Sequence, residues 1–320
     1  MKIGAIDIQP VIDGLLVSQL WSTKPIDDPA QLEWQGRHAG RDRMFRPDGM
    51  LESTLGGFLV RTADRVVLVD AGAGQPSPSG YTAPVIDVDD PDDPIAEVYR
   101  TRGLSDDAIR RIAEMFGRVE LDHGHLPESL AAREVHPDDV TDLVITHLHF
   151  DHIGWASADG APYFPNATIR CATADFDYFL DRADEEATTT LIFGAPTAAQ
   201  RLAPVLDRIE PWDSDGPILP GIDVRLAPGH TPGSSVVVIS DGQQRALLLG
   251  DVSHCPLEVM DDDFNLLVDH DQELANRVRD AYARELEGTD VAVAAAHFPG
   301  LRFGRLLPGA TTRRWTFLDD

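Results

Sequence analysis

The sequence predicts a fold of the α/β (α+β) class, built from layers of helices and strands. Short β-branched runs that end in Gly, Asp or His alternate along the chain with longer segments of helical spacing. No repeat of fixed period and no linker interrupts this alternation over the 320 residues. We therefore expect a single domain over residues 1–320, long enough to bury a full core.

The first third of the chain is predicted to form strands. Three runs, IGAIDIQPVIDG, LGGFLVRT and RVVLVDAGAG, have the β-branched content of strands. Gly56 and Gly57, like Gly72 and Gly74, are expected to mark turns. The stretch between Tyr81 and Pro94 is rich in Pro and Asp but lacks the ordered spacing and central Gly of a calcium-binding loop, which favours a solvated loop.

Helices and strands alternate through the rest of the chain. Helical spacing predicts helices at Ser105–Phe116, with Ser105 as the N-cap, and at Gln272–Leu286. A buried strand is expected at Leu143–Thr146, and three more lie between residues 221 and 250, where Asp241 and Gly242 indicate a hairpin turn. The runs VAVAAA and RRWTFL complete the predicted strands.

Side chains that bind metals follow several of these strands. His147 and His149 leave the end of one strand on the same side, because residues i and i+2 of an extended chain point the same way. A strand-to-helix turn follows them at once. The remaining candidates stand in that turn or directly after an apolar run: Asp151, His152, His230, Asp251 and His297. Loops over a rigid sheet can gather such remote residues into one site.

The number of candidate ligands indicates more than one metal ion. Five histidines and two aspartates are too many for one tetrahedral ion. They fit two ions that share a bridging carboxylate and a bridging hydroxide. Imidazole and carboxylate without thiolate suit zinc, manganese, iron or cobalt. The sequence therefore predicts two divalent metal ions as cofactors, with Zn²⁺ as the first choice.

Four motifs carry a family resemblance. HLHFDH, PGHTPGS, LLLGDVSH and AAHF resemble the metallo-β-lactamase superfamily in order and spacing, from about Leu55 to the C-terminus. The resemblance implies a four-layer αββα sandwich. It also implies a ligand set, with one ion held by His147, His149 and His230, the other by Asp151, His152 and His297, and Asp251 bridging them.

The resemblance implies a hydrolase that uses a metal-bridging hydroxide to cleave a lactone, ester or phosphoester bond. Asp151 could steer a proton to the leaving group. THLHFDHIGW, GDVSHCP and AAHFPG look most like the lactonase and organophosphate-hydrolase branches. Acyl-homoserine lactonases usually carry Tyr three residues after the bridging Asp, whereas this chain has His254 there. A His at this position is similar to the organophosphate-hydrolysing branch. His254 is either an acid/base or substrate donor, or a histidine of the pocket wall.

The sequence leaves open the role of Asp70 and the choice between a hydrolase and its alternatives. Asp70 ends a predicted strand, so it is either an acceptor for a ligand imidazole or a turn residue bonded to its own loop. The same ligand order is found in glyoxalase-type thioesterases and in persulfide dioxygenases with a single iron, which consume oxygen. A non-catalytic metal-binding protein is a third reading, and it is disfavoured because storage does not need an open, water-holding position.

Composition narrows the partners and the compartment. A formal charge of -27 repels phosphate backbones, so we expect a small-molecule substrate and no nucleic acid. No apolar run reaches the roughly 20 residues of a membrane span, and Asp7 and Asp13 interrupt any signal-peptide core, which predicts a cytoplasmic enzyme. Cys171 and Cys255 are expected to be free thiols.

Polar clusters outside the seven candidates are expected to lie at the surface. His123 and His125 follow polar residues rather than a strand, which favours a solvated loop. An arginine-rich segment either forms a homodimer arm or an anion-binding lid, or pairs with local carboxylates, the reading we favour. Its arginines are Arg37, Arg41, Arg43 and Arg46.

Overall fold

Two mixed β-sheets form the centre of the molecule. The computed structural model describes residues 1–19, 45–77, 80–101, 103–181, 187–262, 266 and 268–318. The strands of the first half are β1 Lys2–Ile3, β2 Ile6–Ser18, β3 Leu51–Arg61, β4 Val66–Val69, β5 Glu120–Asp122, β6 Asp142–Val144, β7 Ser157–Ala158, β8 Ala161–Pro162 and β9 Thr168–Arg170. Those of the second half are β10 Gly216–Leu219, β11 Ile222–Leu226, β12 Ser235–Asp241, β13 Gln244–Leu248, β14 Ala292–Ala294, β15 Gly304–Leu307 and β16 Arg314–Phe317.

Each sheet has seven strands in the described part of the chain. The first runs in the order β1-β2-β3-β4-β6-β9, with β5 also paired to β2. Its β4, β6 and β9 are parallel. The second runs in sequence order from β10 to β16, and β13 and β14 are its parallel pair. β7 and β8 form a separate hairpin.

Helices cover the outer face of both sheets. They are α1 Pro94–Thr101, α2 Asp106–Phe116, α3 Leu126–Ala131, α4 Phe150–Ile153, α5 Thr173–Asp181, α6 Ala187–Phe193, α7 Ala198–Leu202, α8 Pro256–Met260 and α9 Gln272–Leu286. Single 3₁₀ turns lie at Pro137–Asp139, Ala203–Arg208, Gly250–Val252 and Pro299–Leu301.

The period of two along the strands divides the apolar side chains among three cores. In β4, Val67 and Val69 pack between the sheets, whereas Leu68 packs under the helices on the first sheet. In β13, Leu248 packs between the sheets, and Leu247 faces the long helix α9. Strands buried on both faces need continuous apolar runs, which is what the sequence carries. The layers are therefore helix, sheet, sheet and helix, as predicted.

Most of the predicted elements are confirmed. Ser105 caps α2 by accepting the Ala108 N–H, and α9 has the predicted bounds. Asp241 closes the β12–β13 hairpin by pairing with Gln244. The expectation that Gly56 and Gly57 mark a turn is wrong, since both lie inside β3. A Cβ on Gly57 would lie 2.1 Å from the Asp70 carbonyl oxygen, so close strand packing explains this glycine.

Candidate metal centre

The seven predicted ligands meet at one edge of the sandwich, where strands of both sheets end. His147 and His149 follow β6. Asp151 and His152 lie in α4, which begins one residue later. Asp251 lies in the 3₁₀ turn after β13, and the remaining two follow β11 and β14: His230 and His297. Parallel strands within each sheet bring their carboxyl ends to the same side, so one short edge collects residues more than a hundred positions apart.

Three imidazoles and one carboxylate form a first group. His149 Nδ1 lies 2.9 Å from His147 Nε2 and 2.9 Å from His230 Nε2. The Oδ2 atom of Asp251 lies 3.7 Å from His147 Nε2 and 3.5 Å from His230 Nε2. The four ligand atoms lie within 4.8 Å of one another, close enough to surround a single ion.

Asp151, His152 and His297 form a second group. Asp151 Oδ2 lies 3.5 Å from His297 Nε2, and Asp151 Oδ1 lies 4.0 Å from His152 Nε2. Asp251 reaches this group too, with its Oδ1 3.4 Å from His152 Nε2 and its Oδ2 3.2 Å from His297 Nε2. One carboxylate thus stands between the two groups.

Unpartnered atoms test whether these residues fit a metal. Among the described residues, both ring nitrogens of His152 and the Oδ1 of Asp251 are buried without a hydrogen-bond partner. Buried polar atoms are seldom left unsatisfied, because the loss of hydration costs about 1–3 kcal/mol each. His152 Nε2 and Asp251 Oδ1 lie 3.4 Å apart. A buried, unpartnered nitrogen and oxygen this close, with imidazole and carboxylate neighbours, fit divalent metal ions.

Outer residues orient the imidazoles. Asp70 Oδ2 lies 3.1 Å from His152 Nδ1, so this carboxylate lies directly beside a candidate ligand, which favours the first reading of Asp70. Asp70 also accepts the Thr146 N–H at 2.8 Å and has a left-handed φ of 61°. His297 Nδ1 donates to the Thr54 carbonyl oxygen at 3.1 Å. Such partners fix the tautomer and the ring orientation of a ligand histidine.

The electrostatics separate neutral from charged groups. Burial, with the neighbouring His152, holds the pKa of His147 well below its usual range, and burial with His230 does the same to the pKa of His149. Burial alone would raise the pKa of Asp251, but the surrounding histidines, His297 foremost, hold it well below its usual range. Neutral His147 and His149 and an ionised Asp251 are the protonation states that metal binding requires. Against the effect of burial, Asp251 and Asp70 hold the pKa of His152 well above its usual range, so a metal ion would have to displace a proton from this ring.

His254 lies against the same cluster. Its Nε2 lies 3.2 Å from Asp251 Oδ2, and its ring stacks parallel to that of His297 at 5.7 Å. Its side chain is 12% exposed, more than that of Asp251. A ring that touches the centre and still meets solvent can contact both the cluster and an entering molecule.

Sequence analysis missed three charged residues behind the site. Asp269 Oδ1 lies 3.1 Å from His230 Nδ1, and Glu258 accepts the His254 N–H at 2.8 Å. Arg279, on α9, contacts both carboxylates. Asp269 does not end a strand, and the other two read as ordinary polar positions of helices, so no local signal marked them.

A small cavity adjoins α4. Its volume is about 30 Å³, and its lining includes Tyr81, Phe150, Phe193 and Arg201. The Phe150 and Phe193 rings stack at 4.8 Å. Phe150 stands between His149 and Asp151 in sequence, but none of the seven candidate ligands lines this cavity.

The other polar candidates lie outside the cluster, as expected. His123 contacts the Gly74 carbonyl oxygen, and His125 is 57% exposed beside Asp122. Of the arginine-rich segment, Arg46 pairs with Glu120 at 2.8 Å, which confirms surface pairing for that residue. Arg37, Arg41 and Arg43 lie outside the described residues.

The cysteines and the helices agree with the sequence. Cys171 and Cys255 are free and buried. Burial and the neighbouring Asp175 raise the pKa of the Cys171 thiol to about 12. None of the helices described combines the length and the apolar content that a membrane span requires.

Comparison with known proteins places these features in a family. A family model described as the metallo-beta-lactamase superfamily matches residues 57–297. The N-acyl homoserine lactonase AiiA of Bacillus thuringiensis subsp. kurstaki is 29% identical over 113 residues, which is 35% of this chain and 38% of that relative. The match therefore spans well under half the length of this relative.

Solved structures with a similar fold cover the whole chain. AidC, a dizinc quorum-quenching lactonase in complex with the product N-hexnoyl-L-homoserine, has a TM-score of 0.74 at 20% identity, covering 100% of this chain and 97% of that one. The hydrolase AbOPH of the beta lactamase superfamily has a TM-score of 0.72 at 20% identity, with the same coverage. At this identity the likeness concerns the fold.

Proposed function

Because the chain belongs to the metallo-β-lactamase superfamily, we propose that it is a binuclear metal hydrolase that cleaves a lactone, ester or phosphoester bond. The position of Asp251 carries the proposal, since this one carboxylate lies within 3.7 Å of a ring nitrogen in each of the two ligand groups. A single-ion site has no use for a carboxylate shared in this way.

The ligands divide as the two groups do. His147, His149 and His230 would hold one ion, Asp151, His152 and His297 the other, and Asp251 both. Zinc is the first choice, because the donors are imidazole and carboxylate and because the similar structure AidC is a dizinc enzyme. Two such ions would supply an activated hydroxide and concentrated positive charge at the reacting centre.

Asp151 and His254 are the residues we propose for proton transfer and for contact with the substrate. The side chain of Asp151 is 12% exposed, so it can also contact the substrate. It would accept a proton and pass it to the leaving group. His254 presents its Nε2 at the cluster, with its Nδ1 directed to Glu258 3.4 Å away. That arrangement suits a donor to the substrate oxygen on which negative charge develops.

Lactones and phosphotriesters are the first substrate classes to test. The similar structures include lactonases with bound homoserine products and the hydrolase AbOPH. His254 stands three residues after Asp251, where the sequence of a lactonase would carry Tyr, so phosphotriesters and aryl esters belong on the panel beside lactones.

A substrate panel tests the proposal. We expect the zinc-loaded protein to hydrolyse at least one of the lactones, aryl esters or phosphotriesters offered, and the variant His230→Ala, which loses a ligand of the first group, to lose about 10³-fold or more in kcat/KM. An Arg277→Gln variant, changed at an exposed position of α9, should match the wild type. Hydrolysis by His230→Ala at the wild-type rate would refute the assignment.

The variant His254→Gln separates the two readings of His254. If His254 contacts the substrate, kcat should fall about 10²-fold with the metal content unchanged. A change of less than threefold in kcat would show that His254 is only a residue of the pocket wall.

The oxidoreductase alternative is not favoured. The similar proteins named above are hydrolases, and nothing in the site selects an iron-dependent dioxygenase or a glyoxalase-type thioesterase over them. The single-domain organisation, the cytoplasmic compartment and a homodimer stay predictions.

A further inference from the structure

A buried arginine lies behind the cluster and belongs to neither ligand group. Arg279, in the middle of α9, has a side chain that is 2% exposed. A guanidinium cannot lose its charge, and its transfer from water costs several kcal/mol unless partners replace the hydration. The partners of Arg279 therefore indicate why the chain keeps a cation here.

Arg279 contacts two carboxylates with different nitrogens. Its Nη2 donates to Asp269 Oδ2 at 3.0 Å. Its Nε lies 3.7 Å from Glu258 Oε2 and donates to the Val252 carbonyl oxygen at 2.8 Å. Both carboxylates are buried, with side chains 0% and 1% exposed. Val252 directly follows Asp251, so the guanidinium also holds the turn that carries the shared carboxylate.

Each carboxylate reaches a different histidine at the cluster. The second oxygen of Asp269, Oδ1, lies 3.1 Å from His230 Nδ1, on the ring edge opposite the metal-facing Nε2. Glu258 Oε2 accepts the backbone N–H of His254 at 2.8 Å and lies 3.4 Å from its Nδ1. Two chains of contacts therefore begin at the Arg279 guanidinium. One runs through Asp269 to His230, a candidate ligand, and the other runs through Glu258 to the ring of His254.

We propose that Arg279 is a positioning residue that holds His230 and His254 towards the centre through two separate carboxylates. The Asp269 chain sets the ring of a metal ligand, and the Glu258 chain sets the ring that meets the substrate. The second half of this inference rests on the proposed hydrolase function, whereas the first half concerns metal binding alone.

Three variants separate the two chains. Asp269→Asn cuts the chain to His230, Glu258→Gln cuts the chain to His254, and Arg279→Gln cuts both. The control is Arg277→Gln, since Arg277 lies on the same helix, is 59% exposed and pairs with Glu273 one turn away. Circular dichroism and thermal unfolding check that each variant folds.

Zinc affinity, measured by competition with a chromophoric chelator, reports the chain to His230. We expect Asp269→Asn to weaken one zinc equivalent about 10–100-fold and to leave the other within twofold. The visible spectrum of the cobalt-substituted protein should change in the same variant. Glu258→Gln should leave both affinities within twofold. Arg279→Gln should reproduce the loss of Asp269→Asn, and Arg279→Lys should recover part of it.

The kinetic constants report the chain to His254. We expect Glu258→Gln to lower kcat at least tenfold with KM within threefold, while both zinc equivalents stay bound. The inference is overturned if Arg279→Gln folds with zinc affinities and kcat within twofold of the wild type. It is also overturned if Asp269→Asn and Glu258→Gln change the same quantity, since that outcome indicates a merely structural network.

The two proposals fail in different ways. If the wild type hydrolyses nothing on the panel, the proposed function fails, and the zinc and cobalt measurements still decide whether Arg279 positions His230. If Arg279→Gln does not fold, the pair Asp269→Asn and Glu258→Gln decides the inference, because each keeps the shape of its side chain.

Discussion

At the scale of single residues, Asp175 shows how a buried charge can organise ligands that it does not touch. Its carboxylate accepts the Leu148 N–H at 3.0 Å, the Thr231 hydroxyl at 2.9 Å and the Gly233 N–H at 2.5 Å. These residues flank His147, His149 and His230. Burial nevertheless raises the pKa of Asp175 to about 6, against the hydrogen bonds from Gly233, Thr231 and Leu148, which lower it.

The pH dependence of stability tests this description of Asp175. The folded-state pKa of about 6 exceeds the usual aspartate pKa of 3.8, so the folded protein binds the proton more tightly. The resulting stability is fully present below the unfolded-state pKa and is lost as pH rises through about 6. Between pH 5 and 7.5 we expect the wild type to lose roughly 1 kcal/mol of unfolding free energy relative to Asp175→Asn.

Denaturant unfolding of both proteins across this pH range gives the difference directly, and titrations common to both cancel. A constant difference between pH 5 and 7.5 would show that Asp175 has an ordinary pKa in the folded protein.

Residues of the site differ in how far the sequence predicts them. The seven candidate ligands were predictable because each lies in or just after the loop at the end of a strand. Such a loop is recognised from its neighbours in sequence, since an apolar run ends there and polar residues follow. Arg279 was not, because its function depends on Val252, 27 positions away, and on the burial of its face of α9. Long-range contacts of this kind leave no signal in a helix that already reads as amphipathic.

At the scale of elements, the position of α4 depends on one close approach. Gly154 ends this helix, and a Cβ there would lie 2.0 Å from the Ala73 carbonyl carbon and 2.1 Å from the Gly74 nitrogen. Its φ of -55° is ordinary, so contact alone demands glycine. The Gly154 N–H also donates to the Gly72 carbonyl oxygen at 2.7 Å. The glycine therefore sets the distance between the first sheet and the helix that carries Asp151 and His152.

The variant Gly154→Ala should move α4 away from the sheet. We expect a loss of about 1–3 kcal/mol in unfolding free energy, as for other overpacked sites, and at least a tenfold fall in the affinity for one zinc equivalent. Gly117→Ala is the matched control, because its Cβ would meet atoms no closer than 3.5 Å. Wild-type zinc affinity in Gly154→Ala would show that α4 tolerates the shift.

Elements also show where local patterns fail. Ser105 and Asp241 sit where capping and hairpin rules predict them, since those rules depend on neighbours in sequence. Gly56 and Gly57 lie inside β3 instead of in a turn, because the second is needed where β3 passes the end of β4. A glycine that serves packing cannot be told from a turn glycine without knowing which strand lies beside it.

At the scale of the whole molecule, charge is the dominant feature. The formal net charge is -27, and Lys2 and Lys24 are the only lysines in the sequence. Arginines pair with part of the surplus acid, as Arg225 does with Glu285 at 2.9 Å and Arg110 with Asp89 at 2.8 Å. Most acidic side chains still repel one another across a compact surface, which destabilises the folded state.

Salt should therefore stabilise the protein. Screening shortens the range of repulsion from about 10 Å at 0.1 M salt to about 3 Å at 1 M. We expect the melting temperature of the zinc-loaded protein to rise by roughly 2–3 °C between these concentrations of NaCl, which corresponds to about 1–2 kcal/mol for a chain of this size. Differential scanning calorimetry measures it, and a melting temperature that falls with salt would contradict the account.

A count of metal ions in the purified chain, measured together with turnover after dialysis against limiting chelator, tests the binuclear centre most directly. We expect two divalent ions per chain in the wild type, one in His230→Ala, one in His297→Ala and a large loss of both in Asp251→Ala. Turnover should disappear with the ions. A single iron per chain with oxygen uptake, or full turnover by the metal-free protein, would contradict the binuclear assignment.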